Sequence, residues 1–205
     1  MYQKYEKQIR KDIFNFKSNK IKYIKYQLGN IAEIKKGFTP STKKEEYWNN
    51  GKYYWLSISD INKKYIKNSK KRISENAIKN KNIVKKDTLI MSFKLTIGKV
   101  AILKEDMYTN EAIANFTWKI DNISTEFMYF YLKTLNIEKY GSQAAKGITL
   151  NTETLNAIPI MLPEYNIQLS IVNKLLKFNK KIDLICEKLN NIKNFKKFLL
   201  QKMFI

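Results

Sequence analysis

The strongest constraint on this chain lies at its C-terminal end. Ile171, Phe178, Ile185, Ile192 and Leu199 recur every seven positions, and Leu175, Ile182, Leu189 and Met203 fall between them. This 4-3-4-3 spacing is that of a coiled-coil seam, and no Gly or Pro after Pro163 interrupts it. The pattern predicts a long helical element over residues 164–205, with the helix itself running from about Asn166 to Met203, roughly 55–60 Å at 1.5 Å per residue. Such a stripe cannot be covered by the helix that carries it, so it predicts self-association through Ile171, Leu175, Phe178, Ile182, Ile185, Leu189, Ile192 and Leu199. Lys196 interrupts the seam, and Lys174, Lys181, Lys188 and Lys202 line one flank. Facing one another across an antiparallel pair, these lysines would cost a few tenths of a kcal/mol each, so they either splay into solvent or meet an acidic partner.

What precedes the helix is strongly basic. Among 205 residues, 39 Lys and Arg stand against 18 Asp and Glu, a net charge of +21. That balance favours a polyanionic partner, although an AT-rich coding bias also raises Lys, Asn and Ile. The chain has no histidine, which excludes imidazole bases, Ser-His-Asp triads and most zinc sites. Its one cysteine, Cys186, cannot form an internal disulfide and fits a reducing cytoplasm. No apolar signal segment opens the chain and no run of about 18 apolar residues suggests a membrane span.

Three regions follow from the patterning. Residues 1–20 read as a basic N-terminal arm or short helix with a loose stripe of Tyr5, Ile9, Ile13 and Phe16. Residues 21–163 read as an α+β domain with short strands in a mixed sheet. Strands are expected at 53–58, 88–93, 99–103 and 115–120, the last with Phe116, Trp118 and Ile120 on one face. Ser124 is placed to cap an amphipathic helix carrying Phe127, Phe130, Tyr131 and Leu135, and residues 151–155 read as a short turn of helix. Pro159 and Pro163 bracket an extended exit into the long C-terminal helix.

No catalytic set emerges. The glycines are too scattered for a phosphate loop, and no cofactor or metal site is expected. Glu33-Ile34-Lys35 has the E-x-K spacing of metal-dependent nucleases, a short match that a lysine-rich background produces by chance. Basic and hydroxyl residues instead interleave with aromatics in four loops. The first carries Lys36, Thr39, Ser41 and Thr42, and the second Ser59, Lys63 and Lys64. The third carries Ser92, Lys94 and Thr96, and the fourth Gln143 and Lys146. Lysines and hydroxyls hold phosphates; Gln, Thr and Ser read base edges. These loops point to nucleic acid. A coiled-coil assembly protein whose basic domain docks an acidic protein is the alternative, and a minimal nuclease using Glu33 and Lys35 a third.

The order of motifs resembles a known family. Residues 28–41, opening Leu28-Gly29-Asn30-Ile31-Ala32-Glu33-Ile34-Lys35-Lys36-Gly37-Phe38, are similar to the start of a target-recognition domain of Type I restriction–modification specificity subunits. Tyr54-Trp55-Leu56-Ser57-Ile58 resembles the next strand of that domain. Lys86-Asp87-Thr88-Leu89-Ile90-Met91-Ser92 with Ile97-Gly98-Lys99-Val100 resembles its central element. Ile158-Pro159-Ile160-Met161-Leu162-Pro163 then leads into the spacer helix, although Glu164 is followed by Tyr165-Asn166-Ile167-Gln168 where the family usually has a Glu-Gln pair. The resemblance implies a non-catalytic DNA reader that recognises one half of a bipartite site. Separate adenine methyltransferase subunits and a motor-nuclease subunit are its implied partners. Complete subunits carry two recognition domains and two spacer helices. One of each here implies a half-length form that pairs, through the helix, with itself or with another half subunit.

Overall fold

The structure is a computed structural model that describes residues 2–144 and 147–203. It begins with helix α1 (Tyr2–Ile13), followed by strand β1 (Ile24–Gln27), one helical turn α2 (Leu28–Ile31) and strand β2 (Ala32–Lys36). Strands β3 (Tyr53–Leu56), β4 (Tyr65–Ile66), β5 (Lys71–Ile73), β6 (Leu89–Ser92), β7 (Val100–Leu103), β8 (Tyr108–Thr109) and β9 (Ile113–Trp118) build the domain. Helix α3 (Thr125–Leu132), hairpin strands β10 (Ser142–Ala144) and β11 (Gly147–Thr149), short helix α4 (Thr152–Asn156) and strand β12 (Pro159–Leu162) lead to helix α5 (Tyr165–Met203).

The principal sheet has the order β2-β9-β6-β7-β4 and a smaller one the order β5-β3-β8. Both are mixed, because β4 runs parallel to β7 and β3 parallel to β8 while the other pairs are antiparallel. The expected α+β class with a mixed sheet is what forms. All four residues of β6 and of β7 are buried, and the two-residue period of a strand distributes them between two cores. Leu89, Met91, Val100, Ile102, Ala114 and Phe116 face the helices. Ile90, Ala101, Leu103 and Ile113 face Leu56 of the small sheet. Along β3, Leu56 packs in that inner core while Trp55 turns outward to an aromatic cluster with Tyr108, Phe38 and Trp48.

Several expectations are refined. Strand β9 stops at Trp118, which stacks on Phe116 at 6.3 Å; Ile120 lies beyond it, 38% exposed. Ser124 caps α3 by accepting from the Phe127 amide, but the helix is buried on all sides from Phe127 to Leu132 rather than amphipathic. Asn151 caps α4 in the same manner. The proline exit is a true strand, β12, paired antiparallel with β1.

The domain also reaches past both expected boundaries. Phe14 and Phe16 are buried in the main core, where Phe16 stacks on Tyr131 and Phe14 meets Phe127. At the other end, Gln168, Ile171, Val172 and Leu175 of α5 are buried in the same chain. Gln168 is the clip between α5 and α3. Its Oε1 accepts from the Ser124 amide at 2.9 Å, and its Nε2 donates to the Asn122 and Pro163 carbonyls at 3.0 and 2.9 Å. The expected seam therefore divides. Ile171 and Leu175 are satisfied within the domain, 4% and 1% exposed, and are not free to meet a second helix. Beyond Leu175 no residue of α5 is buried, and Ile185, Ile192 and Leu199 stand 44%, 65% and 44% exposed. No helix among the described residues is long and apolar enough to cross a membrane.

Candidate nucleic-acid interface

Strand register brings three of the four expected loops to one end of the principal sheet. Ser92 pairs with Ile113, and Lys36 pairs with Ala114, so β6 and β2 both finish where β9 begins. Strand β7 starts at that same end, and β4 runs parallel to it, so the segment that enters β4 also arrives there. The loops are tied together. The Gly37 amide donates to Ile113, the Phe38 amide to Thr109 and the Phe93 amide to Ala112. The Thr39 hydroxyl donates to Glu111, and the Lys99 ammonium reaches the Ile58 carbonyl. Gly37 is required for this closure, since a Cβ there would lie 1.9 Å from the Thr109 carbonyl oxygen. The first loop is further held by Trp55 and Trp48, whose indole N–H groups donate to the Phe38 and Ser41 carbonyls.

Lys36, Thr39, Ser41, Thr42, Ser59, Lys63 and Thr96 are exposed on this end, and Lys94 is half-buried over the Phe93 ring. Two expected DNA contacts are corrected. Ser92 is fully buried; its hydroxyl donates to the Thr96 carbonyl and accepts from the Lys99 amide, so it shapes the loop and cannot reach a ligand. Lys64 turns inward to pair with Glu126 of α3, and its ammonium lies 4.6 Å from the Phe130 ring centroid. An ammonium already neutralised by a carboxylate is not available to a phosphate. The fourth loop belongs to the β10–β11 hairpin, a separate two-stranded sheet in which Gln143 pairs with Ile148. Lys146 lies outside the described residues.

Tyr65 completes the Lys64 cluster by donating to Glu126 at 2.6 Å. Burial, and then the bond to Glu126, push its phenol pKa upward; burial also raises those of Tyr131 and Tyr108. A phenol held neutral in the fold ionises near pH 10 once unfolded. Its contribution is thus intact below about pH 10 and is lost as the pH rises above that value. Circular dichroism across pH 9–12 is expected to show a falling melting temperature, and Tyr65→Phe to flatten the decline.

A feature not anticipated from the sequence adjoins the loop end. A cavity of about 810 Å³ begins at Lys36, Gly37 and Phe38 and continues along Asn115 to Trp118, facing the 80–88 segment. Lys35, Lys81, Lys85 and Lys86 also line it. Lys81 sits over the Phe38 ring, while Lys85 is paired with Asp106. Lys and Asn alternate over 79–82, a polar pattern that does not by itself mark a groove wall. Glu33 and Lys35, the candidate nuclease pair, are exposed on edge strand β2 and ion-paired with each other at 3.0 Å. Among the described residues, no group of three or more Asp, Glu or Cys side chains is placed to hold a metal ion.

The domain gathers basic and hydroxyl loops at one end of its principal sheet and continues into a helix whose outer part is exposed. The comparison with known proteins is specific. The chain belongs to the Type I restriction modification DNA specificity domain family, which matches residues 9–194. It is 31% identical over 165 residues to the Type I restriction enzyme MjaIX specificity subunit of Methanocaldococcus jannaschii, covering 77% of this chain and 38% of that protein. Over 113 residues it is 26% identical to the EcoprrI specificity subunit of Escherichia coli, covering 53% of this chain and 28% of that one. The fold is similar to the HsdS subunit of Thermoanaerobacter tengcongensis (TM-score 0.69, 15% identity, 91% of this chain and 45% of that one). It is also similar to a type I S subunit from M. genitalium (TM-score 0.58, 16% identity, 92% and 46%). The chain thus spans less than half the length of each of these relatives.

Proposed function

We propose that this chain is a non-catalytic DNA reader of a Type I restriction–modification complex. It recognises one half of a bipartite site, and it docks adenine methyltransferase subunits and, through the assembly, a motor-nuclease subunit. The observation that carries this reading is the convergence of three basic, hydroxyl-bearing loops at one end of the principal sheet, in a chain of net charge +21. Membership of the DNA specificity domain family supports it. The part of α5 beyond Leu175 spaces this domain from a second recognition domain. It pairs with a second copy or a related chain through Phe178, Ile182, Ile185, Leu189, Ile192 and Leu199.

A salt titration tests the reading. With six to ten phosphates neutralised, affinity for duplex DNA is expected to fall about 10³–10⁵-fold between 50 and 200 mM salt. Lys94→Ala should weaken binding to all sequences alike and reduce the salt slope by about one. Gln143→Ala should change sequence preference instead. Lys64→Ala should leave the slope unchanged and lower stability by about 3 kcal/mol, because Glu126 then stays largely buried without its partner. Affinity indifferent to salt would contradict the proposal.

A further inference from the structure

The tip of the loop joining β6 to β7 carries Leu95, 90% exposed, the most exposed large apolar side chain among the described residues. Its backbone is left-handed, with φ +63°. A leucine is disfavoured there, where Gly or Asn is better tolerated, so the conformation persists only because the surrounding loop imposes it. The loop does so from both sides. Phe93, 2% exposed, is anchored in the main core with its amide on Ala112. Ser92 and Lys99 pair through the Ser92 amide at 2.9 Å, Gly98 donates back to the Ser92 carbonyl at 2.9 Å, and Gly98 takes its own positive φ of +82°. The buried Ser92 hydroxyl closes the ring onto Thr96. A rigid loop thus holds an isolated apolar side chain out in solvent, between Lys94 and Thr96, on the end of the sheet where the other basic loops gather.

A partner for such a tip must offer anions and a small apolar surface together. One leucine is too little apolar area to hold a protein on a bilayer, and the adjoining hydroxyl of Thr96 has no use in acyl chains. The major groove of duplex DNA matches better. Its walls are phosphates, and its floor exposes one apolar group per A·T pair, the thymine 5-methyl. We infer that Leu95 is a specificity-determining residue that seats against a thymine methyl group in the half-site. The inference rests on the DNA-reading function proposed above.

The test begins with duplexes selected from a random pool by the wild-type chain and by Leu95→Asn, a variant suited to the left-handed backbone. Thymines of the selected duplex are then replaced singly by deoxyuridine, which lacks only the methyl. One replacement is expected to weaken wild-type binding about fourfold, the equivalent of about 0.8 kcal/mol for one buried methyl. The same replacement should leave Leu95→Asn unaffected, with its salt slope and melting temperature close to wild type. If wild type selects a sequence but no single deoxyuridine weakens it, or if the asparagine variant is equally sensitive, the assignment of Leu95 fails while DNA reading stands. A rise in 2-aminopurine emission with no deoxyuridine effect would make Leu95 an intercalating wedge and overturn the methyl contact. If wild type enriches no sequence, DNA reading itself falls and this inference with it.

Discussion

Gln168→Ala is expected to destabilise the protein by about 3–5 kcal/mol, a large share of the roughly 5–15 kcal/mol that holds an ordinary domain folded. The side chain is fully buried and makes three hydrogen bonds to the backbone. Removing it strands the buried Ser124 amide and Pro163 carbonyl, at about 1–3 kcal/mol for each group left unpaired in the interior, while the carbonyl of exposed Asn122 can turn to water. Ser124 is also the residue that caps α3, so the loss reaches two helices at once. In urea, with a slope near 2 kcal/mol/M, the midpoint should fall by about 2 M. Gln168→Met, which keeps the volume and loses the bonds, should recover little of that shift. Limited proteolysis should cut the variant first around 163–168, where α5 is no longer clipped to the domain.

The second large effect concerns association. Ile185→Asp combined with Ile192→Asp is expected to abolish pairing through α5 while leaving the melting curve of the domain nearly unchanged. Both residues lie on the exposed part of the helix, beyond Leu175, and neither contributes to the buried core. In a pair of identical chains the two substitutions alter four seam positions. At about 1.5 kcal/mol of lost burial for each, the dimer weakens by about 6 kcal/mol, four orders of magnitude in Kd. Sedimentation velocity at micromolar concentration should show wild type as a pair and the variant as a single chain. By contrast, Leu175→Asp should unfold the domain, since that position is 1% exposed within one chain. A different outcome for Leu175 and Ile185 follows only if the seam divides where the structure divides it.

That division was not legible in the sequence. Core packing on α3 and pairing with a second helix both select apolar residues at three- and four-residue spacing, so Ile171 and Leu175 read no differently from Ile185 and Ile192. Local signals read well: Ser124 caps α3 where it was expected to, the short helix expected at 151–155 forms as α4, and the largely apolar runs of β6 and β7 lie in the centre of the sheet. What sequence could not supply was direction. Lys64 and Lys63 are adjacent and chemically identical. Only the parallel register of β4 on β7 and the approach of α3 turn Lys64 inward to Glu126. Ser92 sat among plausible base readers, but it ends a fully buried strand and spends its hydroxyl on its own loop. Phe14 and Phe16 join the core through contacts more than a hundred residues away, which no local periodicity records. The lysines of the 79–86 segment stand in no motif and become a groove wall only once that segment is laid beside β2 and β9.

The central claim is that the loop end of the sheet reads DNA while α5 sets spacing, and genome-wide mapping of modified adenines tests it most directly. In cells carrying the chain with the proposed methyltransferase partner, the account predicts a gapped motif with one modified adenine in each half. Exchanging residues 39–42 and 93–96 for those of a relative should change the bases of each half-site that this chain reads, both of them in a pair of identical chains, and leave the gap intact. Inserting one helical turn into α5 beyond Leu175 should change the gap and leave the bases intact. A modification pattern that ignores the loop exchange, or a gap that ignores the inserted turn, would contradict the account.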